Sequence, residues 1–87
     1  MHAVLVSVAI NDEEAARARL RDVVLPVVRQ APGAKAGYWL EPADGHGNSI
    51  VIFESQEAAE NAAKNVTAEG GAVTIDSVTV REVVGSF

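Results

Sequence analysis

The first ten positions of the chain are mostly apolar, and β-branched residues fall at every second position: Val4, Val6, Val8 and Ile10. This period of two is typical of a β-strand, and it predicts a strand over residues 3–10. Shorter runs of the same character predict three further strands, over residues 34–41, 48–54 and 77–84.

The last of these strands has a change of phase before it. Val73 and Ile75 fall on odd positions, whereas Val78 and Val80 fall on even positions. One extra residue in a strand reverses the faces that its side chains occupy. We therefore expect a bulge or a short break at Asp76–Ser77.

The segment after the first strand has helical periodicity. Apolar residues recur at helical spacing over residues 12–30, and Asn11 and Glu14 have the spacing of a capping box at its start. Pro26 lies inside this helix. Because proline has no N–H and its ring meets the carbonyl of Asp22, we expect a kink there.

A second helix is predicted over residues 56–68, with Ser55 as its N-cap and Gly70–Gly71 as its end. One face of this helix is built from alanines, which allow it to pack closely on a sheet. Asp44–Gly45 is the strongest turn signal between the second and third strands and predicts a hairpin there.

The order of elements is therefore β-α-β-β-α-β, the ferredoxin-like motif of the α+β class. Short connections and right-handed crossovers then give one four-stranded antiparallel sheet with both helices on one face. The whole chain, residues 1–87, is expected to form one domain.

Both faces of the predicted sheet carry large apolar side chains. In the third strand Ile50 and Ile52 point to one side, and Val51 and Phe53 to the other. Leaving either pair in water forgoes roughly 1.5–3 kcal/mol for each side chain. We therefore expect a homodimer in which a second copy covers the free face. Periodicity leaves open which pair faces the partner.

Charge and cysteine content narrow the function classes. The chain has no cysteine, which excludes disulfides, thiol nucleophiles and cysteine-based zinc sites. Its 7 basic and 12 acidic residues give a net charge of −5, which disfavours nucleic acids and anionic membranes as partners. We expect a cytoplasmic protein, because the first apolar run has no basic residue before it and is too short to span a bilayer. No metal or cofactor is expected.

Several segments together resemble the dimeric α/β-barrel superfamily, and its antibiotic-biosynthesis-monooxygenase-like members most closely. They are Pro32–Gly33, Gly37-Tyr38-Trp39, the glycine-rich hairpin Asp44–Gly47 and the strand-to-helix segment Phe53–Ala59. The resemblance implies two sheets packed face to face, with helices outside. It also implies an oxygenase-like activity that uses O₂ and no cofactor on an aromatic substrate. The alternative is a non-catalytic dimeric ligand-binding or accessory module.

Five residues are candidates for ligand contact: Trp39, Tyr38, Asn11, Glu54 and His46. The resemblance loosely matches the first three to polar and aromatic residues around the family's cleft. Each candidate also has an ordinary structural explanation: ring packing for the two aromatics, helix capping for Asn11, a solvated or paired strand-end position for Glu54 and a solvated turn for His46. No catalytic residue is assigned. His2 also has a functional and a structural explanation. It could lie at the mouth of a cleft or bind haem, or it could simply be the first residue of the strand.

If the protein has a ligand cleft, we expect it between the sheet and the first helix. Pro26 should lift part of that helix, and one of Tyr38 and Trp39 must face it, whereas the alanine-rich second helix leaves little space. The ligand should be largely apolar, and a reaction would depend on the substrate's own reactivity with O₂. The alternative is that apolar side chains of the helix fill the gap: Leu20, Val23, Val24 and Val27.

Overall fold

The α+β, ferredoxin-like fold expected from the sequence is confirmed by the computed structural model, which describes residues 1–68 and 70–87. Four antiparallel strands form one sheet in the order β2-β3-β1-β4. The elements in chain order are β1 (His2–Ile10), α1 (Glu13–Arg19), a π-helical segment (Leu20–Val24), α2 (Leu25–Arg29), β2 (Ala34–Trp39), β3 (His46–Phe53), α3 (Gln56–Lys64) and β4 (Val73–Glu82).

The three consecutive helical elements from Glu13 to Arg29 occupy the place of the predicted first helix and are called the first helical region below. The irregularity expected from Pro26 takes the form of the π-helical segment that ends just before it. There the N–H of Leu25 donates to the carbonyl of Leu20, five residues back. The wider turn places Pro26, which has no N–H to donate, in the first turn of α2.

The N-cap of α1 is one residue later than the sequence suggested. Oδ1 of Asp12 accepts the N–H of Ala15 at 3.0 Å. The amide of Asn11 instead donates to the carbonyl of Gly71 and to Oγ1 of Thr74, both at 3.1 Å. Asn11 thus ties the end of β1 to the start of β4, and the prediction that it caps the helix is wrong.

Two boundaries near the C-terminal half also differ from the predictions. The N-cap of α3 is Ser55, as expected, with Oγ accepting the N–H of Ala58 at 3.1 Å. The helix ends at Lys64 rather than at residue 68, because the N–H of Asn65 turns back to carbonyls of the last turn and its side chain donates to the carbonyl of Asn61. The two glycines at 70 and 71 lie beyond the helix end.

The bulge expected at Asp76–Ser77 is confirmed, within a strand β4 that begins at Val73 rather than at residue 77. Ser7 of β1 pairs with Ser77 and Val8 pairs with Ile75, so Asp76 has no partner in the ladder. The extra residue restores the phase, and the apolar side chains on both sides of the bulge point to the same face.

The hairpin between β2 and β3 closes at Asp44–Gly45, as predicted. Both residues have positive φ, 53° and 77°. Ala43 and His46 exchange two backbone hydrogen bonds, of 2.9 and 3.0 Å. Two central left-handed residues in a two-residue loop are the type I′ turn that matches the twist of antiparallel strands.

The structure decides which side of the sheet the helices cover. The core consists of Val4, Val51, Phe53 and Ala59, and Phe53 is only 2% exposed. Val51 and Phe53 therefore face the helices. Since neighbouring residues of a strand point to opposite faces, Ile50 and Ile52 lie on the other face, called the open face below.

Within the described parts of the chain, no helix is long and apolar enough to cross a membrane. The cytoplasmic location stays a prediction.

Candidate functional site

A cavity of about 500 Å³ lies between the sheet and the first helical region, which is where the cleft was expected. All four strands contribute to its floor, and the helical stripe of Ala16, Leu20, Val24 and Val28 covers it. Its floor is formed by helix-facing residues of the sheet: Val6, Val8, Ile10, Trp39, Gly47, Ser49, Val51, Val73 and Ile75. The helical side chains therefore do not fill the gap between helix and sheet.

The loose cover of this cavity follows from the local sequence. No residue of the first helical region is buried, and Val27 is 64% exposed. α3 packs more closely on the sheet than the first helical region does, and Ala59 in α3 is fully buried. The difference follows from the size of the side chains that face the sheet. An alanine face approaches the strands closely, whereas the larger stripe of the first helical region leaves space beneath it.

Trp39 is held in the cavity wall by the glycine two residues before it. Positions 37 and 39 of β2 both face the helices, because Gly37 pairs with Val51 and Trp39 pairs with Ser49. A Cβ at position 37 would lie 2.8 Å from Cζ3 of the indole, so the ring lies over the bare backbone of Gly37. Trp39 also borders a smaller pocket of about 340 Å³ beside Leu25.

Replacing Gly37 with alanine should therefore move the indole. Because Trp39 is the chain's one tryptophan, its fluorescence reports this site alone. We expect a shifted emission maximum and a loss of roughly 1–3 kcal/mol in the free energy of unfolding, the usual cost of overpacking. Gly85→Ala is the matched control, because a Cβ there meets nothing within 4 Å. Equal spectra for the two variants would contradict the placement of the ring.

The ionisable side chains of the cavity wall are few. They are Glu13, Arg17, Arg19 and Glu41, and Glu13 pairs with Arg17 at 3.1 Å. The neutral polar residues Asn48, Ser49 and Thr67 also contribute to the wall. In the part of the chain that the structure describes, no polar or charged residue is buried as a whole.

A carboxyl with a perturbed pKa lies outside the cavity. A side-chain hydrogen bond from Arg21 lowers the pKa of Asp22, and both side chains are exposed on the π-helical segment.

Of the five candidate ligand residues, the structure brings only Trp39 to the cavity. Tyr38 lies on the open face and is 60% exposed. Asn11 holds the start of β4, as described above. Glu54 follows β3 and lies 3.5 Å from Nζ of Lys35. A ligand role for these three residues stays a prediction.

His46, the fifth candidate, lies on the open face opposite Ala9 of β1. Its Nδ1 is 3.1 Å from Oδ2 of Asp76, the extra residue of the bulge in β4. The bulge thus directs an acidic side chain across β1, and the small side chain of Ala9 leaves room for the contact. This pair is separated from the cavity by the sheet.

His2 does not border the cavity, and its buried Nδ1 has no hydrogen-bond partner in the described structure. Residues 1–68 and 70–87 contain no group of three or more histidine, aspartate or glutamate side chains arranged to hold a metal ion.

Sequence reasoning missed several residues of the wall, namely Arg19, Asn48, Val66 and Thr67. For Arg19 a signal was present. Residues three apart share a helix face, and Arg19 follows Ala16 by three positions. Arg19 therefore lies at the edge of the apolar stripe rather than on the opposite side of the helix. For Val66 and Thr67 no signal existed, because a helix was expected to continue through them.

Comparisons with models of protein families, with curated proteins and with solved structures find no match for this chain. The ferredoxin-like architecture therefore stands on the structure itself.

Proposed function

We propose that this protein binds a small, flat and largely apolar molecule in the cavity between the sheet and the first helical region. The observation that carries the proposal is the cavity itself, about 500 Å³ in volume and lined mostly by apolar side chains. Ligand sites in proteins have volumes of roughly 300–1,000 Å³ and combine apolar walls with a few polar groups. An indole in the wall offers a flat surface on which an aromatic ring stacks.

The cover of the cavity supports ligand entry. The first helical region contributes no buried residue, and its middle turn is π-helical. Segments with few buried apolar contacts open at low free-energy cost. Displacement of this region gives a ligand a path to the floor without disturbing the core around Phe53.

The second candidate function is an oxygenation without a cofactor, in line with the resemblance to the antibiotic-biosynthesis-monooxygenase-like proteins. It is favoured by the polar side chain of Ser49, which pairs with Trp39 on the helix-facing side of the sheet and lines the same cavity. In such a reaction O₂ converts a ring CH₂ of the substrate to C=O, and the second oxygen atom leaves as water. The site's part would be to hold the substrate in an apolar space that O₂ enters.

We also propose that the active unit is a homodimer, formed through the open face. Leu5, Tyr38 and Ile50 lie side by side on three adjacent strands of this face, and Leu5 and Tyr38 are 37% and 60% exposed. Polar residues border this patch: Ser7, Asn48, Thr79 and Arg81. An apolar centre with a polar rim is the usual composition of an interface, and a two-fold axis lets the same patch serve both copies.

Ala16→Phe tests the proposed site by filling it. The ligand probe is N-phenyl-1-naphthylamine, a neutral flat molecule that fluoresces in apolar surroundings. We expect the wild-type protein to bind it and to show altered Trp39 emission. We expect Ala16→Phe to weaken binding at least tenfold, because the new ring occupies the cavity beneath α1.

Ala15→Phe is the control for that experiment, because Ala15 is exposed on the same helix and does not border the cavity. Its probe affinity should equal that of the wild type. The proposal fails if the wild type does not bind the probe, or if both variants bind it equally well. Oxygen uptake with a flat aromatic substrate that carries a ring CH₂ group then tests the second function, and no uptake above the rate of Ala16→Phe excludes it for that substrate.

A further inference from the structure

Arg19 differs from the other four arginines of the chain in its burial. Arg17, Arg21, Arg29 and Arg81 are exposed, whereas Arg19 is half-buried. It is also part of the wall of the cavity. Removing a guanidinium from water is costly unless another group accepts its hydrogen bonds.

Two carboxylates of the same helical region, Glu13 and Asp22, are paired with other arginines, and Glu41 of the cavity wall forms no ion pair with Arg19. Glu13 accepts a hydrogen bond from Arg17 at 3.1 Å, and Asp22 accepts from Arg21 at 2.8 Å. Among residues 1–68 and 70–87, no carboxylate lies within 4 Å of Arg19 and its side chain makes no hydrogen bond. Arg19, half-buried as a residue, thus lies in the wall of a mostly apolar cavity without a carboxylate partner among these residues.

We infer that Arg19 anchors the acidic group of the ligand, so that the ligand class is a flat apolar molecule with a single anionic group. A guanidinium binds a carboxylate or sulfonate through two parallel hydrogen bonds, and such charge-assisted bonds are stronger than neutral ones. The protein's net charge of −5 disfavours a highly charged ligand. A ligand with one negative charge and a large apolar body matches the single guanidinium of Arg19 and the apolar lining of the cavity. This inference rests on the proposed binding function.

Two probes with the same ring skeleton separate the two claims. N-phenyl-1-naphthylamine is neutral, and 8-anilinonaphthalene-1-sulfonate adds one sulfonate to it. We expect the wild type to bind the anionic probe more tightly than the neutral one. Arg19→Gln should weaken the anionic probe about tenfold, in the range of a lost charge-assisted hydrogen bond, and leave the neutral probe within about twofold.

Arg21→Gln is the control, because it removes the same charge from an exposed position outside the cavity. It should leave both affinities unchanged. The inference is wrong if Arg19→Gln leaves the anionic probe unaffected, if it weakens both probes equally, or if Arg21→Gln has the same effect. In those cases binding of the neutral probe still supports the proposed function. Failure of the wild type to bind the neutral probe overturns the proposed function instead.

Discussion

Ile50→Lys should separate the proposed dimer into monomers. In size-exclusion chromatography with light scattering, we expect the wild type at micromolar concentration to have about twice the 9.1 kDa mass of one chain, and Ile50→Lys to have the mass of one. Ile50 lies between Leu5 and Tyr38 at the centre of the apolar patch on the open face. A buried ammonium without a partner is costly, and a two-fold axis brings two of them together.

The lysine reduces the net negative charge of the chain, so general repulsion between copies cannot explain a dissociation. Asn61→Lys adds the same charge at an exposed position of α3 and should remain dimeric. A wild type that is monomeric at these concentrations, or an Ile50→Lys variant that stays dimeric, would contradict the proposed interface.

Phe53→Ala should remove most of the stability of the fold. The side chain is 2% exposed and belongs to the core cluster with Val4, Val51 and Ala59. Truncation of a buried phenylalanine costs about 3–5 kcal/mol. A domain has about 5–15 kcal/mol in total. We expect the urea midpoint to fall sharply and a detectable unfolded fraction to exist without denaturant.

Phe87→Ala is the matched control, because it makes the same chemical change at a fully exposed position. Its urea midpoint should lie close to that of the wild type. Equal losses in the two variants would mean that β3 does not direct Phe53 into the core.

Local signals in the sequence were sufficient for most of the fold. The alternation in β1, the Asp44–Gly45 turn and the Ser55 cap each depend on residues close in the chain. The cap of α1 depended on a distant contact. The N–H groups of both Asn11 and Asp12 donate to the carbonyl of Ala72, which fixes Asn11 beside β4 and leaves Asp12 to cap the helix.

Periodicity separated Ile50 and Ile52 from Val51 and Phe53, but it could not say which pair faces the helices. Both pairs are large and apolar, so the strand alone has no preference. The choice depends on what packs above it. Phe53 clusters with Ala59 of α3, which no pattern within β3 reveals.

The position of the cavity was accessible from the sequence because it depends on gross features, namely a proline in one helix and alanines in the other. The polar residues of its wall were harder to predict from the sequence. Charged residues on a helix are usually solvated, so the half-burial of Arg19 is visible only once the sheet lies beneath it. Tyr38 and Trp39 were equivalent as aromatics until the pairing of β2 with β3 placed one on each face.

The most direct test of the binding site is a methyl-labelled NMR titration of the wild-type protein with N-phenyl-1-naphthylamine. The valine methyl groups report both inside and outside the cavity in one spectrum. We predict that the signals of Val6, Val8, Val24 and Val73, which line the cavity, shift with the probe, and that those of the exposed Val23 and Val84 do not. Shifts confined to the exposed valines, or no shifts at saturating probe, would contradict the account.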